Sequence, residues 1–225
     1  AAFDIGYGAT SSLKKVKLPA SVTEIGKYAF QSCNALETVE FAQGSKLKTI
    51  ADSAFVNSRN LKNINFPEGL VTIGNQAFQN TGLTEVTLPS SVTKIGNAFN
   101  SCNSLRKITI GDGVTSIPDG AFLDCKFLSE VNLGNSVTSV GKNAFKNCVS
   151  LEEITLGDSV TVIGEQAFYN TSLKKIKIGA GVTSVGKEAF KFSELAEVEF
   201  AVAGTGAAAL QSIGDEAFVG TGITV

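Results

Sequence analysis

The chain has no histidine, no methionine and no tryptophan among its 225 residues, and only 4 prolines. Without histidine there is no His general base, no Ser-His-Asp or Cys-His nucleophile pair and no His-containing metal site. A missing methionine even at position 1 is the expectation for a trimmed chain; removal of a signal peptide accounts for it, and so does an engineered origin. No run of 18 apolar residues occurs and no charged-then-apolar leader opens the chain, so direct membrane insertion of this segment is not expected. Charge is also scarce in net terms, at −2 from 19 Lys and Arg against 21 Asp and Glu. No large basic field exists to attract nucleic acid, which is therefore not an expected partner. With 43% hydrophobic residues the chain has apolar surface enough for a core, and disorder is not expected.

What the sequence has in abundance is one pattern. Leu128 to Cys148 reads LSEVNLGNSVTSVGKNAFKNC, and L-x-x-[VI]-x-[LIF]-[PG]-x-x-V-T-x-[IV]-G-x-x-A-F-x-x-C recurs with a period of 22 or 23 residues. A fixed period of that size marks a solenoid. The units begin at Leu13, Leu36, Leu61, Leu83, Leu105, Leu128, Leu151, Leu173 and Leu195, and a tenth opens at Ile223. The expected organisation is an irregular segment or the end of a preceding repeat over 1–12, with Ala2-Phe3 as its trace, and one solenoid over 13–225. Nine turns at about 4.8 Å per parallel strand make a rod roughly 40 Å long.

Within a unit, Val131-Asn132-Leu133 alternates apolar and polar over too few residues for a helix and reads as a short strand, one per turn. Pro19, Pro67 and Pro89 share the next column with Gly111, Gly134, Gly157 and Gly179, and both residue types suit a bend at a strand exit. Val137 and Val140 point inward from the return leg. Gly26, Gly74, Gly96, Gly141, Gly164, Gly186 and Gly214 fill a column that is either left-handed or tightly packed. The segment around Ala-Phe reads as a single helical or 3₁₀ turn. Its Phe column, from Phe30 to Phe218, takes nine of the 15 phenylalanines. Unit two carries two extra residues in Gln43 to Lys46 and unit nine six between Ala201 and Ala209, both expected as surface bulges. Unit four lacks one residue at Ile95-Gly96-Asn97-Ala98-Phe99, which predicts a pinched turn.

These residues resemble the BspA-like class of leucine-rich repeats, over Leu13 to Phe218 in nine copies. The resemblance implies an α/β fold, a leucine-rich-repeat solenoid forming a right-handed β/α superhelix with a parallel sheet of about nine short strands. It also implies a secreted or cell-surface location and adhesion through binding of host or matrix proteins. The chain departs from the pattern at Ala51 and Pro118 in the Gly column, and at Ser58, Thr81, Thr171, Ser193 and Thr221 near the Cys column.

Three sets of residues could carry chemistry, and each has a structural reading that fits better. Cys33, Cys102, Cys125 and Cys148 stand three residues after a column Phe, spaced by the repeat itself, whereas zinc ligands usually come in close pairs. They are expected to be buried thiols outside any disulfide or metal site. Glu152-Glu153 and Glu197 with Glu199 lie on an open sheet surface, where no pocket raises a carboxyl pKa for acid catalysis. Gly204-Thr205-Gly206 lacks the Lys-Ser/Thr and the long helix of a phosphate loop. No cofactor, no metal and no enzymatic activity are therefore expected. Asn170-Thr171-Ser172 is one glycosylation sequon.

Alternation places the residues flanking the strand [VI] on the outer face. The candidate binding face comprises Asn63, Asn65, Glu85, Thr87, Lys107, Thr109, Glu130, Asn132, Glu153, Thr155, Lys175 and Lys177, polar throughout and without an aromatic anchor. Thr in strands and alternating charge also serve a sheet that merely has to stay soluble. The functional expectation is a non-enzymatic module that binds a protein or a glycan by weak or multivalent contact. The alternative is a structural spacer or stalk that self-associates through the open ends of the solenoid.

Overall fold

β-Branched residues recur at two places in every unit, and both become strands of two to four residues except the first place in unit seven. The computed structural model describes residues 12–201 and 209–223. Ala2-Phe3 and most of the irregular N-terminal segment, the Gly204-Thr205-Gly206 loop, most of the insertion after Ala201, and Val225 lie outside those residues. Seventeen strands are described, and all of their pairings are parallel.

The expected count of one strand per turn is thus too low. A first ladder is built from Lys15–Leu18, Thr38–Phe41, Asn63–Ile64, Glu85–Thr87, Lys107–Thr109, Glu130–Asn132, Lys175–Ile178 and Glu197–Phe200. A second runs along the return leg through Glu24–Ile25, Thr49–Ile50, Thr72–Ile73, Lys94–Ile95, Ser116–Ile117, Ser139–Val140, Val162–Ile163, Ser184–Val185 and Ser212–Ile213. The V-T-x-[IV] leg pairs because its repeat keeps like residues opposite one another, with Ile50 facing Ile73 and Val140 facing Ile163. Its threonines add a side-chain ladder, in which Thr138, Thr161 and Thr183 donate to the carbonyls of Thr115, Thr138 and Thr161 at 2.9–3.0 Å.

The second ladder is interrupted once, between Lys94–Ile95 and Ser116–Ile117. Elsewhere the residue in the Gly column donates its N–H to the preceding turn, as Gly96 does to Ile73 O at 2.9 Å and Gly141 to Ile117 O at 2.8 Å. Pro118 occupies that position in turn five and has no N–H to give to Ile95. The short turn Gly96-Asn97 lies beside it, so the missing residue and the missing donor fall at one interface.

The Ala-Phe segment corrects the α/β expectation: it holds no helix, and none is found among the described residues. A helix would need consecutive right-handed residues with bonds from i to i−4. Here Ala29, Gln31 and Cys33 donate to Gly26, Tyr28 and Phe30, three residues back, while Phe30 and Ser32 between them donate to Ala54 and Val56 of the next turn. Left-handed residues break any helical run, with Tyr28 at φ 59 and Ser32 at φ 54, and the same two positions recur at Asn143 (φ 56) and Asn147 (φ 62). The fold is therefore a parallel β-solenoid of the leucine-rich-repeat type, hydrogen-bonded between turns on three sides. No helix here is long and apolar enough to cross a membrane.

The left-handed position after Phe explains a run of small polar residues. Asn147 donates to Asp124 Oδ1 at 2.7 Å and accepts from Asn170 at 2.9 Å, and Asn80 donates to Asn57 at 2.9 Å. Asn tolerates this conformation, which costs other non-Gly residues about 1–2 kcal/mol. Asn147→Ala is expected to lose about 2 kcal/mol, from the backbone and the two hydrogen bonds together. Asn147→Gly should lose less, because Gly accepts φ > 0. Urea unfolding of the two variants checks this; the reverse order, Gly worse than Ala, is what a helical segment would give.

The core is one continuous cluster from Val16 to Ala217. At its centre nine Phe rings stack from Phe30 to Phe218, with centroids 5.0–5.8 Å apart and planes within 13° of parallel. The widest spacing, 5.8 Å between Phe99 and Phe122, falls at the interface where the second ladder is broken.

The Cys column supplies a donor to the carbonyl of that Phe. Cys102, Cys125 and Cys148 donate Sγ–H to Phe78, Phe99 and Phe122 of the preceding turn at 3.0–3.2 Å, and Ser58 does the same to Phe30 at 2.6 Å. In the shorter turns Thr81, Thr171, Ser193 and Thr221 reach the Phe carbonyl of their own turn at 2.7–3.0 Å. Cys, Ser and Thr are interchangeable here because each is small and carries a donor.

All four cysteines are buried and none forms a disulfide. Burial pushes the Cys102 thiol up to about 11 and raises those of Cys125 and Cys148 as well. A thiol pKa raised by folding stabilises the fold fully below the unfolded value near 9, and that contribution is lost as pH rises through the folded value. Stability should therefore fall from pH 9 upward, by about 2 kcal/mol at pH 11 for Cys102 alone. Thermal melts between pH 8 and pH 11 test this, and Cys102→Ser should show a shallower decline than the parent.

Candidate binding face

The outer face of the first ladder carries the candidate residues. Asn63, Asn65, Glu85, Thr87, Glu130, Asn132, Glu153, Thr155, Lys175 and Lys177 are exposed, while Lys107 and Thr109 are half-buried. The strands hold them in two straight columns, since Lys107 lies between Glu85 and Glu130, and Thr109 between Thr87 and Asn132. Repeat seven, with Glu153 and Thr155, lies in a gap where no first-ladder strand forms.

Ion pairs between adjacent turns order this surface. Lys107 meets Glu130 at 2.6 Å, and Glu130 also accepts from Asn132 at 3.0 Å. The Glu130 carboxylate raises the Lys107 pKa; in turn Lys107, and after it Asn132, holds Glu130 below the ordinary carboxylate range. Lys175 pairs with Glu197 at 3.1 Å and Lys177 with Glu199 at 3.6 Å. Glu152 pairs with Lys174 at 2.6 Å. Glu40 lies opposite Lys17 in register, yet its ion pair is with the diagonal Lys15, at 2.6 Å. All these groups face solvent, so each pair contributes little to stability and chiefly fixes where charge sits.

Two hollows interrupt the face, and both are lined by Asn63, Ile64 and Asn65. Glu68 and Pro89 line one of them and Gln43 the other, residues outside the two outward columns. Gln43 belongs to the two-residue insertion, which was visible in the sequence as a departure from the period. Glu68 follows Pro67 at the strand exit, a position carrying no periodic signal. Among the described residues no group of three His, Cys, Asp or Glu side chains could hold a metal ion.

A family model described as a BspA type leucine-rich repeat region matches in six copies, over residues 6–105 and 96–224. Among solved structures, a leucine-rich repeat protein from Bacteroides ovatus is 26% identical over 96% of this chain and 67% of its own, with a TM-score of 0.75. The leucine-rich repeat protein TpLRR of T. pallidum is 37% identical over 61% of this chain and 64% of its own, with a TM-score of 0.55. One from Eubacterium ventriosum, 21% identical over 96% of this chain and 60% of its own with a TM-score of 0.60, is similar in fold. The chain thus spans about two thirds or less of the length of each. Comparison with curated proteins gave no match.

Proposed function

The chain belongs to the BspA type of leucine-rich repeat proteins, and from that membership we propose that it is a non-enzymatic binding module, displayed outside the cell, that engages a host or matrix protein or a glycan through its polar sheet face. The observation that carries this reading is the pair of polar columns held in register within each of the three short sheets, Lys15 to Asn63, Glu85 to Asn132 and Lys175 to Glu199, that make up the first ladder. Side chains on parallel strands are held at fixed spacing by the backbone, so their recognition chemistry is pre-organised before any partner arrives. No aromatic anchor stands among them, which favours weak contacts multiplied by avidity. The extracellular location rests on the family resemblance.

The test is a surface-plasmon screen of immobilised matrix proteins and glycans. A ligand should be found whose binding weakens when Lys107 and Glu130 are both changed to Ala, and is unaltered by Lys94→Ala on the return leg. A screen that stays empty at high protein concentration, or binding indifferent to the face, sinks the reading.

A further inference from the structure

Long side chains roof most of the sheet face by leaning on one another across adjacent turns, as Lys15 does on Glu40 and Lys107 on Glu130. The strand Asn63–Ile64 sits between those pairs and raises only the short amides of Asn63 and Asn65. The surface therefore drops at this strand, into two adjoining hollows of about 280 and 470 Å³. Glu85, Glu68 and Pro89 bound the smaller; Glu40, Phe41 and Gln43 bound the larger. Gln43 reaches the rim on the inserted residues, where Gly44 takes φ 72 to turn the chain. Together the hollows cross four turns, a span on the order of 15 Å at the strand spacing.

We propose that this recess is a binding site for a neutral oligosaccharide. The inference rests on the reading that the sheet face binds a ligand, and gives that ligand a chemical class and a position. Asn80, Asn147 and Asn170 commit their amides to the ladder on another side of the solenoid, whereas Asn63 and Asn65 face solvent on the floor of the recess. Each amide offers two donors and an acceptor, the complement of a sugar hydroxyl, which is both donor and acceptor. Glu68 and Glu85 add acceptor-only carboxylates for paired hydroxyls. Lys107, opposite Glu85 in register, gives its 2.6 Å contact to Glu130, so the Glu85 carboxylate is left facing the recess. Lys17 also lines the larger hollow, but Glu40, Glu68 and Glu85 outnumber it, so the recess is net acidic and disfavours sulfated or sialylated glycans, which makes the ligand neutral. A protein partner is the poorer fit, because the floor of the recess is amide and carboxylate and offers no exposed aromatic anchor.

The experiment follows the side-chain amide signals of Asn63 and Asn65 by NMR, assigned by their loss in Asn63→Ala and Asn65→Ala. Tetrasaccharides of β-linked glucose and of N-acetylglucosamine are the neutral probes, with a heparin tetrasaccharide and tetralysine as contrasts. A neutral probe should move both signals at about millimolar concentration, with binding weakened roughly tenfold by Asn65→Ala and unchanged by Asn132→Ala. Silence from both neutral probes at about 10 mM, or shifts caused only by heparin or tetralysine, overturns the site. Shifts confined to Lys175 and Lys177 would remove this site and leave the binding face standing, whereas no shift anywhere on the face from any probe would count against both.

Discussion

Phe122→Ala should destabilise the protein by about 3–5 kcal/mol and, unlike the same change at Phe55, split its unfolding into two steps. The ring is fully buried and stacked on both sides, 5.8 Å from Phe99 and 5.2 Å from Phe145. Removing it leaves a cavity that the rigid repeat cannot close, because every neighbour is held by its own inter-turn hydrogen bonds. In a solenoid, stability is a sum of units and nearest-neighbour interfaces, so the weakest interface decides whether the array unfolds as one. Between turns four and five the second ladder is absent at Pro118. Coupling there rests on the first ladder, on backbone bonds such as Phe99 N to Ala121 O at 3.2 Å, and on the Phe pair. Without the ring, the four turns before the break and the five after it should separate. Phe55→Ala, with rings at 5.0 and 5.1 Å and both ladders unbroken on either side, is the control. It should lose a similar amount in a single transition. At about 2–4 °C per kcal/mol for a chain of this size, both melts should drop on the order of 10 °C. Denaturant unfolding followed by circular dichroism and by regional hydrogen exchange separates the cases. A Phe122→Ala protein that melts like the parent would remove the Phe column from the account of stability.

The parts of this fold that could be read in advance are those that repeat with one residue type. Phe, the strand Val or Ile, and the Cys column answer to packing alone, and periodicity exposes packing directly. The second ladder was not legible because two residues, as in Ser139–Val140, are too few to display a period of two. Of the two left-handed columns, the one after Phe had a signal that varied in letter but little in chemistry, Phe192 excepted, whereas the one before it, with Tyr28, Gln76 and Glu188, had none. Ser32, Asn57, Asn80, Ser101, Asp124, Asn147 and Asn170 all occupy the second position after Phe with φ between 54 and 62, and a run of Asn, Ser and Asp at one position marks φ > 0 rather than a helix. On the candidate face, alternation placed every residue on the outer side of the sheet or half-buried there. The hollows could not be foreseen, since they fall where the first ladder breaks between Asn63–Ile64 and Glu85–Thr87 and take in Gln43 on an insertion. Whether Glu40 pairs with Lys15 or Lys17 depends on rotamers, which no column of letters records.

Gly164→Ala is expected to cost about 1–3 kcal/mol, while Gly157→Ala, seven residues earlier, should stabilise by about 0.4–1 kcal/mol. The Gly column containing Gly164 admitted two explanations, a left-handed backbone or close packing. Positive φ among the described glycines occurs only at Gly44, Gly120 and Gly220, so packing is the reason. A Cβ on Gly164 would stand 2.6 Å from Gly141 C and 2.7 Å from Lys142 N. Both are backbone atoms of the preceding turn and cannot rotate aside. The two turns would have to separate, stretching the bond from Gly164 N to Val140 O at 2.8 Å and the Phe145–Phe168 stack at 5.3 Å. Gly186 stands in the same relation to Gly164, with Gly164 C 2.5 Å from its notional Cβ, so displacement of one turn is felt by the next. At Gly157 nothing lies within 4 Å of the added methyl and φ is ordinary, which leaves only the smaller entropy of the unfolded chain to act. Urea midpoints for the two variants should therefore move in opposite directions from the parent. A Gly164→Ala midpoint at or above the parent's would mean that the turns yield by several tenths of an ångström at little cost, and that the column's glycines are not required by the spacing of the coils.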